Sequence, residues 1–385
     1  MLENRKYYFQ RILYILVYIS SDKSKNVFNS KEKKMEDIIK IPSFSLTTRR
    51  LSLYNTIVKP ISNGYFETVT MTPSQRLDAL KNIYGDEYAT EKRFHNFDIS
   101  ISAKKSIIEK INWLYFMAQP RNKTTNKGAH IFNFRINFIT LTLPSKQMHP
   151  TAQITKDCLN QFITEMREKY NMQNFVWRLE FQKNGNVHYH IVTDTYLDYT
   201  ILLRSWNRIV SKLGYLTPYT EKHALMTLTD YINEYGKGNT NDFEKLKASY
   251  SRGRALGWKV PNSVDVRSVL GSKKIGMYIS KYFGKKEKTG IKCNELDTKE
   301  NSMGMRLWFC SRSLSKLKKI TDFVQAFKFD LLALVSAAKD LFTVYHEYCT
   351  TLFYSLGAIE WEYRNILNKI LRDYCIEQKY KPDEV

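Results

Sequence analysis

The chain has 385 residues, 43% of them hydrophobic, which is enough for two or more domains with their own cores. Lys and Arg number 60 against 38 Asp and Glu, and this net charge of +22 favours a polyanionic partner, most often nucleic acid. The five cysteines form no CxxC pair, which excludes a disulfide framework and indicates a reducing, cytoplasmic compartment, here that of a bacterial host. No apolar run reaches the roughly 20 residues that span a bilayer, so no membrane partner is expected.

The first 125 residues are predicted to be a basic N-terminal extension with helices, partly irregular and disordered. Up to about residue 95 the composition is rich in Lys, Ser and Asn. The following stretch, "SISAKKSIIEKINWLYFMA", has apolar residues at helical spacing, namely Ile107, Ile111, Leu114 and Met117. "RNKTTNKG" is then predicted to be a basic loop.

Residues 126–315 alternate between strand-like and helix-like segments. "RINFITLTLP" has β-branched residues in alternation and a proline stop, and "FVWRLEFQ" and "VHYHIVTD" are two strands joined by "KNGN". "ITKDCLNQFITEMREKY" and "YTILLRSWNRIVSKLGY" are amphipathic helices, the second ended by Gly214. "VDVRSV" is predicted to be a further strand and "SKKIGMYISKYFGKK" a helix. This order predicts an α+β fold, a central antiparallel sheet with helices packed on it.

Residues 316–385 are predicted to form an α-helical C-terminal region of two or three helices. The balance of charge supports a separate role for the end of the chain. From residue 291 onward there are 14 basic and 13 acidic residues, so nearly all of the excess positive charge lies in the first 290 residues. We therefore expect the polyanion to bind there.

The hairpin "RLEFQKNGNVHYHIVTD" carries the first candidate site. His188 and His190 are two residues apart on a strand, so their side chains share one face. A three-residue loop starting at Asn184 would pair Gln182 with His188 and Glu180 with His190, which places all four side chains in one patch.

Two imidazoles, a carboxylate and an amide suit a divalent cation with open positions. Mg²⁺ or Mn²⁺ is expected where water and phosphate supply the other ligands, and Zn²⁺ and Fe²⁺ remain open from the ligand types alone. A solvated His-x-His pair on an edge strand is the alternative.

"MYISKYFGKK" carries the second candidate site. Tyr278, Lys281 and Tyr282 fall on one face of the predicted helix, so a phenolic nucleophile would have an ammonium group beside it. Lysine there can stabilise a phenolate or the charge that builds on a phosphate. The alternative is a basic helix with core tyrosines, since the chain contains 26 tyrosines.

Taken in order, these motifs resemble those of the HUH endonucleases. "FITLTLP" is similar to their first strand motif, "EFQKNGNVHYHIV" to their His-hydrophobic-His motif and "YISKY" to their tyrosine motif. The paired tyrosines resemble those of rolling-circle replication initiators of small single-stranded DNA phages, of the microvirus gene A type or the filamentous phage gene II type. "MRLWFCSRSL" is similar to an Arg-x-Trp-x-x-Ser-Arg segment often found there. The resemblance covers about residues 130–315.

The resemblance implies a metal-dependent nickase that initiates rolling-circle DNA replication. His188, His190 and Glu180 or Gln182 would hold the cation that polarises a phosphate of single-stranded DNA at an origin. Tyr278 or Tyr282, assisted by Lys281, would attack, giving a 5′-phosphotyrosyl link and a free 3′-OH, and would later religate the strand. A host helicase and a DNA polymerase are the implied partners.

Three alternatives remain open at this point. One is a plasmid or transposon initiator or relaxase with the same chemistry. Another is a non-catalytic nucleic-acid-binding protein. The third is a metal-dependent hydrolase in which water, not tyrosine, is the nucleophile.

Overall fold

The computed structural model of the protein describes residues 39–60, 66–68, 99–124, 131–236, 243–269, 296–297, 305–323, 341–345 and 349–380. These residues divide into two compact units. The central unit is drawn from His95–Lys316, and the terminal unit from Met1–Phe94 together with Leu317–Tyr380. The three-part division at residues 125 and 315 stays a prediction.

The described strands are β1 Ile39–Leu46, β2 Arg50–Pro60, β3 Phe66–Thr68, β4 Arg121–Thr124, β5 Ile131–Phe134, β6 Ile136–Thr142, β7 Phe175–Phe181, β8 Val187–Thr193, β9 Val264–Val269, β10 Trp308–Cys310, β11 Ile320–Phe323, β12 Phe342–Tyr345 and β13 Cys349–Phe353. The described helices are α1 Ile101–Met117, α2 Thr151–Ile154, α3 Asn160–Tyr170, α4 Tyr199–Ser211, α5 Leu216–Ala224, α6 Leu228–Tyr235, α7 Phe243–Ala255, α8 Arg312–Lys316 and α9 Trp361–Glu377. A π-helical turn, Thr155–Leu159, joins α2 to α3, and a 3₁₀ turn, Leu356–Ala358, precedes α9. The predicted α+β fold is confirmed.

A five-stranded antiparallel sheet is the framework of the central unit, with the strand order β10-β7-β8-β6-β9. The three strands predicted around the histidine motif are confirmed as β6, β7 and β8, and "VDVRSV" is confirmed as β9. β-branched and aromatic residues fill these strands because such side chains pack well on a pleated surface. No helix in the described ranges combines the length and the apolarity needed to cross a membrane.

One face of this sheet, the core face, is apolar. Ile139, Leu141, Tyr189 and Ile191 lie on it and are fully buried against a helical layer. That layer contains α3 and α4, whose buried side chains include Phe162 and Trp206. The Trp206 indole also donates a hydrogen bond of 2.7 Å to the Thr142 carbonyl at the end of β6. The predicted amphipathic helices are thus confirmed, and they cover one side of the sheet.

The turn between β7 and β8 differs from the expected one. Gln182 and Asn186 close the loop, since the Gln182 N–H donates to the Asn186 carbonyl, and Gly185 donates to the Gln182 carbonyl. Gly185 has a φ of 81°, which glycine adopts without steric cost. The loop is therefore Lys183-Asn184-Gly185, one residue earlier than predicted, and the pairing is Glu180 with His188.

Tertiary hydrogen bonds explain this register. Asn186 is buried, and its side chain accepts from the Gln147 N–H and donates to the Ser145 carbonyl. The Gln147 side chain in turn accepts from the Val187 N–H at 2.7 Å. Because the segment after β6 holds both residues, Asn186 is fixed at the strand entry and cannot serve as the third loop residue.

Three helices between α4 and β9, namely α5, α6 and α7, were not predicted. They surround His223, which is 2% exposed. The His223 Nδ1 atom donates to the Tyr219 carbonyl at 2.7 Å, and its Nε2 atom accepts from the Tyr235 hydroxyl at 2.9 Å. Burial lowers the pKa of His223, so the imidazole is neutral and serves as a structural centre of these helices.

The terminal unit contains a second antiparallel sheet, with the order β11-β1-β2-β13-β12 and β3 on β2. The N-terminal and C-terminal parts of the chain therefore share one sheet; the Ser52 and Thr351 hydroxyls, for example, are 3.1 Å apart. A helix is confirmed at α9, where Leu367, Leu371 and Cys375 are buried at helical spacing.

Two local expectations were wrong. Phe342–Tyr345 and Cys349–Phe353 are strands, not part of a helix, because their aromatic and β-branched residues favour pairing with β2 and each other. Arg121–Thr124, expected as the start of a basic loop, is a strand paired with Ile131–Phe134. Helix α1 is confirmed. The predicted tyrosine helix, with Tyr278, Lys281 and Tyr282, lies outside the described residues.

Gly253→Ala is expected to destabilise the three-helix insertion. A Cβ atom at Gly253 would lie 2.1 Å from the Trp258 ring, which is 4% exposed and cannot move into open space. Overpacking of this kind costs about 1–3 kcal/mol, more than the roughly 0.5–1 kcal/mol that alanine adds to helix stability. Thermal unfolding measures the change, with exposed Ser251→Ala on the same helix as the control. Equal melting temperatures for the two variants would contradict this packing.

Candidate functional site

The face of the central sheet opposite the core face, here called the histidine face, carries the polar residues. Antiparallel pairing sets His190 opposite Arg178 on β7 and opposite Thr140 on β6. His188 is opposite Glu180 in the next row. Directly opposed residues point to the same side of a sheet, so these five side chains form one patch.

His190 is the centre of this patch and is 1% exposed. Its Nε2 atom is 2.9 Å from Oε2 of Glu180, and its Nδ1 atom is 3.2 Å from the Thr140 hydroxyl oxygen. When Nε2 carries the proton, it donates to Glu180, and Nδ1 accepts from Thr140. The Thr140 hydroxyl can also accept a proton from Nδ1, which would free the Nε2 lone pair for a ligand.

His188 is the second imidazole, with its ring centroid 4.5 Å from that of His190. Burial lowers the pKa of His188 to about 3, and the neighbouring His190 lowers it further than Glu180 raises it. The ring is therefore neutral at pH 7. Its Nδ1 atom is buried without a hydrogen-bond partner, a cost that a bound ligand or water would relieve.

Glu180 is the carboxylate of the patch, and its side chain is 24% exposed. Burial raises its pKa, but the hydrogen bond from His190 and the electrostatic effects of His190 and Arg178 outweigh burial. The net pKa is lowered, so Glu180 is ionised at neutral pH. It lies at the more open end of the patch and provides its negative charge.

The sequence patterns missed two residues of the patch, Thr140 and Arg178. Thr140 lies 50 residues before His190 in the chain and is 9% exposed, and Arg178 is 1% exposed. The signal for Arg178 was a charged residue within the apolar run "FVWRLEF". Thr140 had no signal, because threonine is common in strands.

Gln182 was expected opposite His188, and that pairing is wrong. It lies past the end of β7, opposite Asn186, because the loop begins one residue earlier. Glu180 is the residue directly across from His188. Between the two candidates for a third ligand, this register favours the carboxylate over the amide.

The donor types of the patch fit a divalent cation, since imidazole nitrogens and a carboxylate are common ligands. The arrangement is not that of a formed site. In the part of the chain that the structure describes, no group of three or more His, Cys, Asp and Glu side chains is placed so that it could hold a metal ion. Glu180 and His190 are instead hydrogen-bonded to each other.

The central unit is thus an α+β domain with a buried, polar histidine patch on an antiparallel sheet. Residues 136–287 match the family model of replication-associated proteins of the ORF2 and gene II protein type. This segment begins with β6 and includes the whole histidine patch and the tyrosine motif, and the match supports a Rep-type replication initiator. No curated protein and no solved structure matched the chain.

Proposed function

We propose that the protein initiates rolling-circle replication by nicking single-stranded DNA at an origin and later rejoining it. The observation that carries the proposal is the patch formed by Glu180, His188 and His190 inside the segment similar to replication-associated proteins. The net charge of +22 supports a DNA substrate, since phosphate contacts dominate such binding. Action in a bacterial cytoplasm, beside a host helicase and a DNA polymerase, belongs to the same proposal.

Glu180, His188 and His190 are the proposed ligands of a Mg²⁺ or Mn²⁺ ion, with Gln182 at the margin of the patch. The His190 Nε2 and Glu180 Oε2 atoms are 2.9 Å apart. Two neighbouring ligands of an octahedral ion with metal–ligand distances near 2.1 Å lie about 3.0 Å apart, so this pair needs little rearrangement. The bound cation would act as a Lewis acid on the scissile phosphate.

Tyr278 or Tyr282 is the proposed nucleophile. The phenol loses its proton and its oxygen attacks phosphorus, a P–O bond to tyrosine forms, and the bond to the 3′ oxygen breaks. The leaving 3′ oxygen takes up a proton and becomes the primer end for the polymerase. Lys281, one turn or less from either tyrosine on a helix, would stabilise the phenolate. Because the phosphodiester energy is kept in the tyrosine link, the reverse reaction rejoins the strand.

A covalent adduct is the decisive test. The protein is incubated with end-labelled single-stranded DNA and Mn²⁺, and the products are separated by denaturing electrophoresis. Label that migrates with the protein supports tyrosine attack. Cleavage without an adduct indicates water as the nucleophile, and binding without cleavage indicates a non-catalytic DNA-binding protein. A plasmid or transposon initiator gives the same adduct and is distinguished by its origin sequence.

Thr140→Val is expected to weaken Mn²⁺ binding by about 10–100-fold, the usual effect of losing a hydrogen bond to a ligand imidazole. Valine keeps the shape of threonine but removes the hydroxyl that lies 3.2 Å from His190 Nδ1. Calorimetry measures the affinity, and ¹⁵N NMR of the metal-free protein reports which nitrogen of His190 carries the proton.

The matched control is Thr142→Val on the same strand, whose hydroxyl donates to the Ser263 carbonyl and not to a histidine. Thr140→Ser, which keeps the hydroxyl, should restore both the affinity and the tautomer. A Thr140→Val protein with unchanged Mn²⁺ affinity and an unchanged tautomer would show that Thr140 only fills space.

A further inference from the structure

Helix α7 (Phe243–Ala255) has no buried residue. Between residues 243 and 260 there are five basic residues and one acidic residue, Glu244, a density of positive charge well above that of the whole chain. The basic side chains are all exposed, and they are Lys245, Lys247, Arg252, Arg254 and Lys259. We call this set the α7 cations.

The helix is nevertheless held in a defined place. Trp258 is buried against Gly253, and its ring centroid is 5.6 Å from that of Tyr250 and 5.0 Å from that of His223. The Tyr250 hydroxyl donates to the Met226 carbonyl at 2.9 Å. A fixed helix loses little conformational entropy when it binds a ligand, so exposed cations on it favour binding more than cations on a free tail.

The chain that leaves α7 leads directly to the histidine patch. The Pro261 carbonyl accepts from Asn207 at 2.9 Å, and the Ser263 carbonyl accepts from the Thr142 N–H and hydroxyl, both at 2.9 Å. Thr142 is the residue opposite His188 on β8. The insertion is therefore tied to the sheet in the row of the first histidine.

We propose that the α7 cations bind the phosphates of single-stranded DNA beside the nucleotide at the histidine patch. This inference rests on the proposed function and adds a substrate-binding surface to it. The observations that carry it are charge complementarity and attachment, because a fixed basic helix with exposed cations is joined to the sheet next to His188. Phosphate contacts of this kind position a strand and raise affinity without reading its sequence.

The test is a variant with four of these cations removed, Lys245→Ala, Lys247→Ala, Arg252→Ala and Arg254→Ala together. Single-stranded DNA affinity is measured by fluorescence anisotropy as a function of salt, without divalent metal. Each phosphate contact contributes about 0.7 to the slope of log K against log salt, so we expect the slope to become shallower by up to about 3. At saturating DNA, the rate of adduct formation should be unchanged.

The matched control removes four cations from the helical layer of the core face, Lys156→Ala, Arg167→Ala, Lys169→Ala and Lys212→Ala. It has the same net charge, so it should keep the wild-type slope if the α7 cations form a specific surface. Equal slopes for both variants, at the wild-type value or equally reduced, would overturn the inference. So would loss of binding to an acidic protein partner while the DNA slope stays unchanged.

Failure of the proposed function gives a different result. If the wild-type protein binds DNA with the expected slope but forms no adduct, the nicking proposal fails and the α7 surface is still judged by the slopes. Circular dichroism of the four-fold variant should match the wild type, because none of the four replaced side chains is buried.

Discussion

Replacing His188 and His190 together by alanine should abolish the covalent DNA adduct while single-stranded DNA binding stays nearly unchanged. His190 is hydrogen-bonded to Glu180 at 2.9 Å, and the two imidazoles are the proposed nitrogen ligands of the cation. Losing one electrostatic stabiliser of a transition state costs about 10²–10³ in rate, and losing both ligands should exceed this range. Denaturing electrophoresis with Mn²⁺ and labelled DNA measures the adduct, and fluorescence anisotropy measures binding.

His149→Ala is the control for this double variant. His149 is a histidine of the same unit, but its ring lies 5.6 Å from Tyr215 of the core and not on the histidine face. This variant should keep its adduct and lose only a little stability. If the double variant still nicks DNA at the wild-type rate, His188 and His190 are not part of the reaction, and the patch is structural.

Removing the two tyrosine hydroxyls one at a time should give a different pattern from removing both. We expect Tyr278→Phe and Tyr282→Phe each to form the adduct still, and the double variant to form none. The two residues are four apart, so on a helix their Cβ atoms would lie about 5–6 Å from each other and either oxygen could reach one phosphate. Mass spectrometry of the digested adduct identifies which tyrosine carries the nucleotide.

Tyr345→Phe is the control for the tyrosine variants, because Tyr345 is 62% exposed and lies in the terminal unit. A complete loss of adduct in Tyr278→Phe alone would replace the alternating mechanism by one with a single nucleophile. In that case Tyr282 would be an aromatic core residue. A normal adduct in the double variant would show that neither tyrosine attacks.

The sequence by itself determined the strands β6, β7 and β8 and the shared face of Glu180, His188 and His190. This was so because the strand period of two is a local property, and a shift of the loop by one residue moves the pairing by two positions without changing the face. The helices α1 and α4 were likewise predicted from local apolar spacing.

Only the tertiary structure decided which residues are opposite one another. The hydrogen bonds of Asn186 to the segment after β6 fixed the loop, and they join residues about 40 positions apart. The pairing of β13 with β2 joins residues about 300 positions apart, which is why the C-terminal strands resembled helices in the sequence. Thr140 and Arg178 entered the patch through pairing across strands, and no local pattern records a partner on another strand.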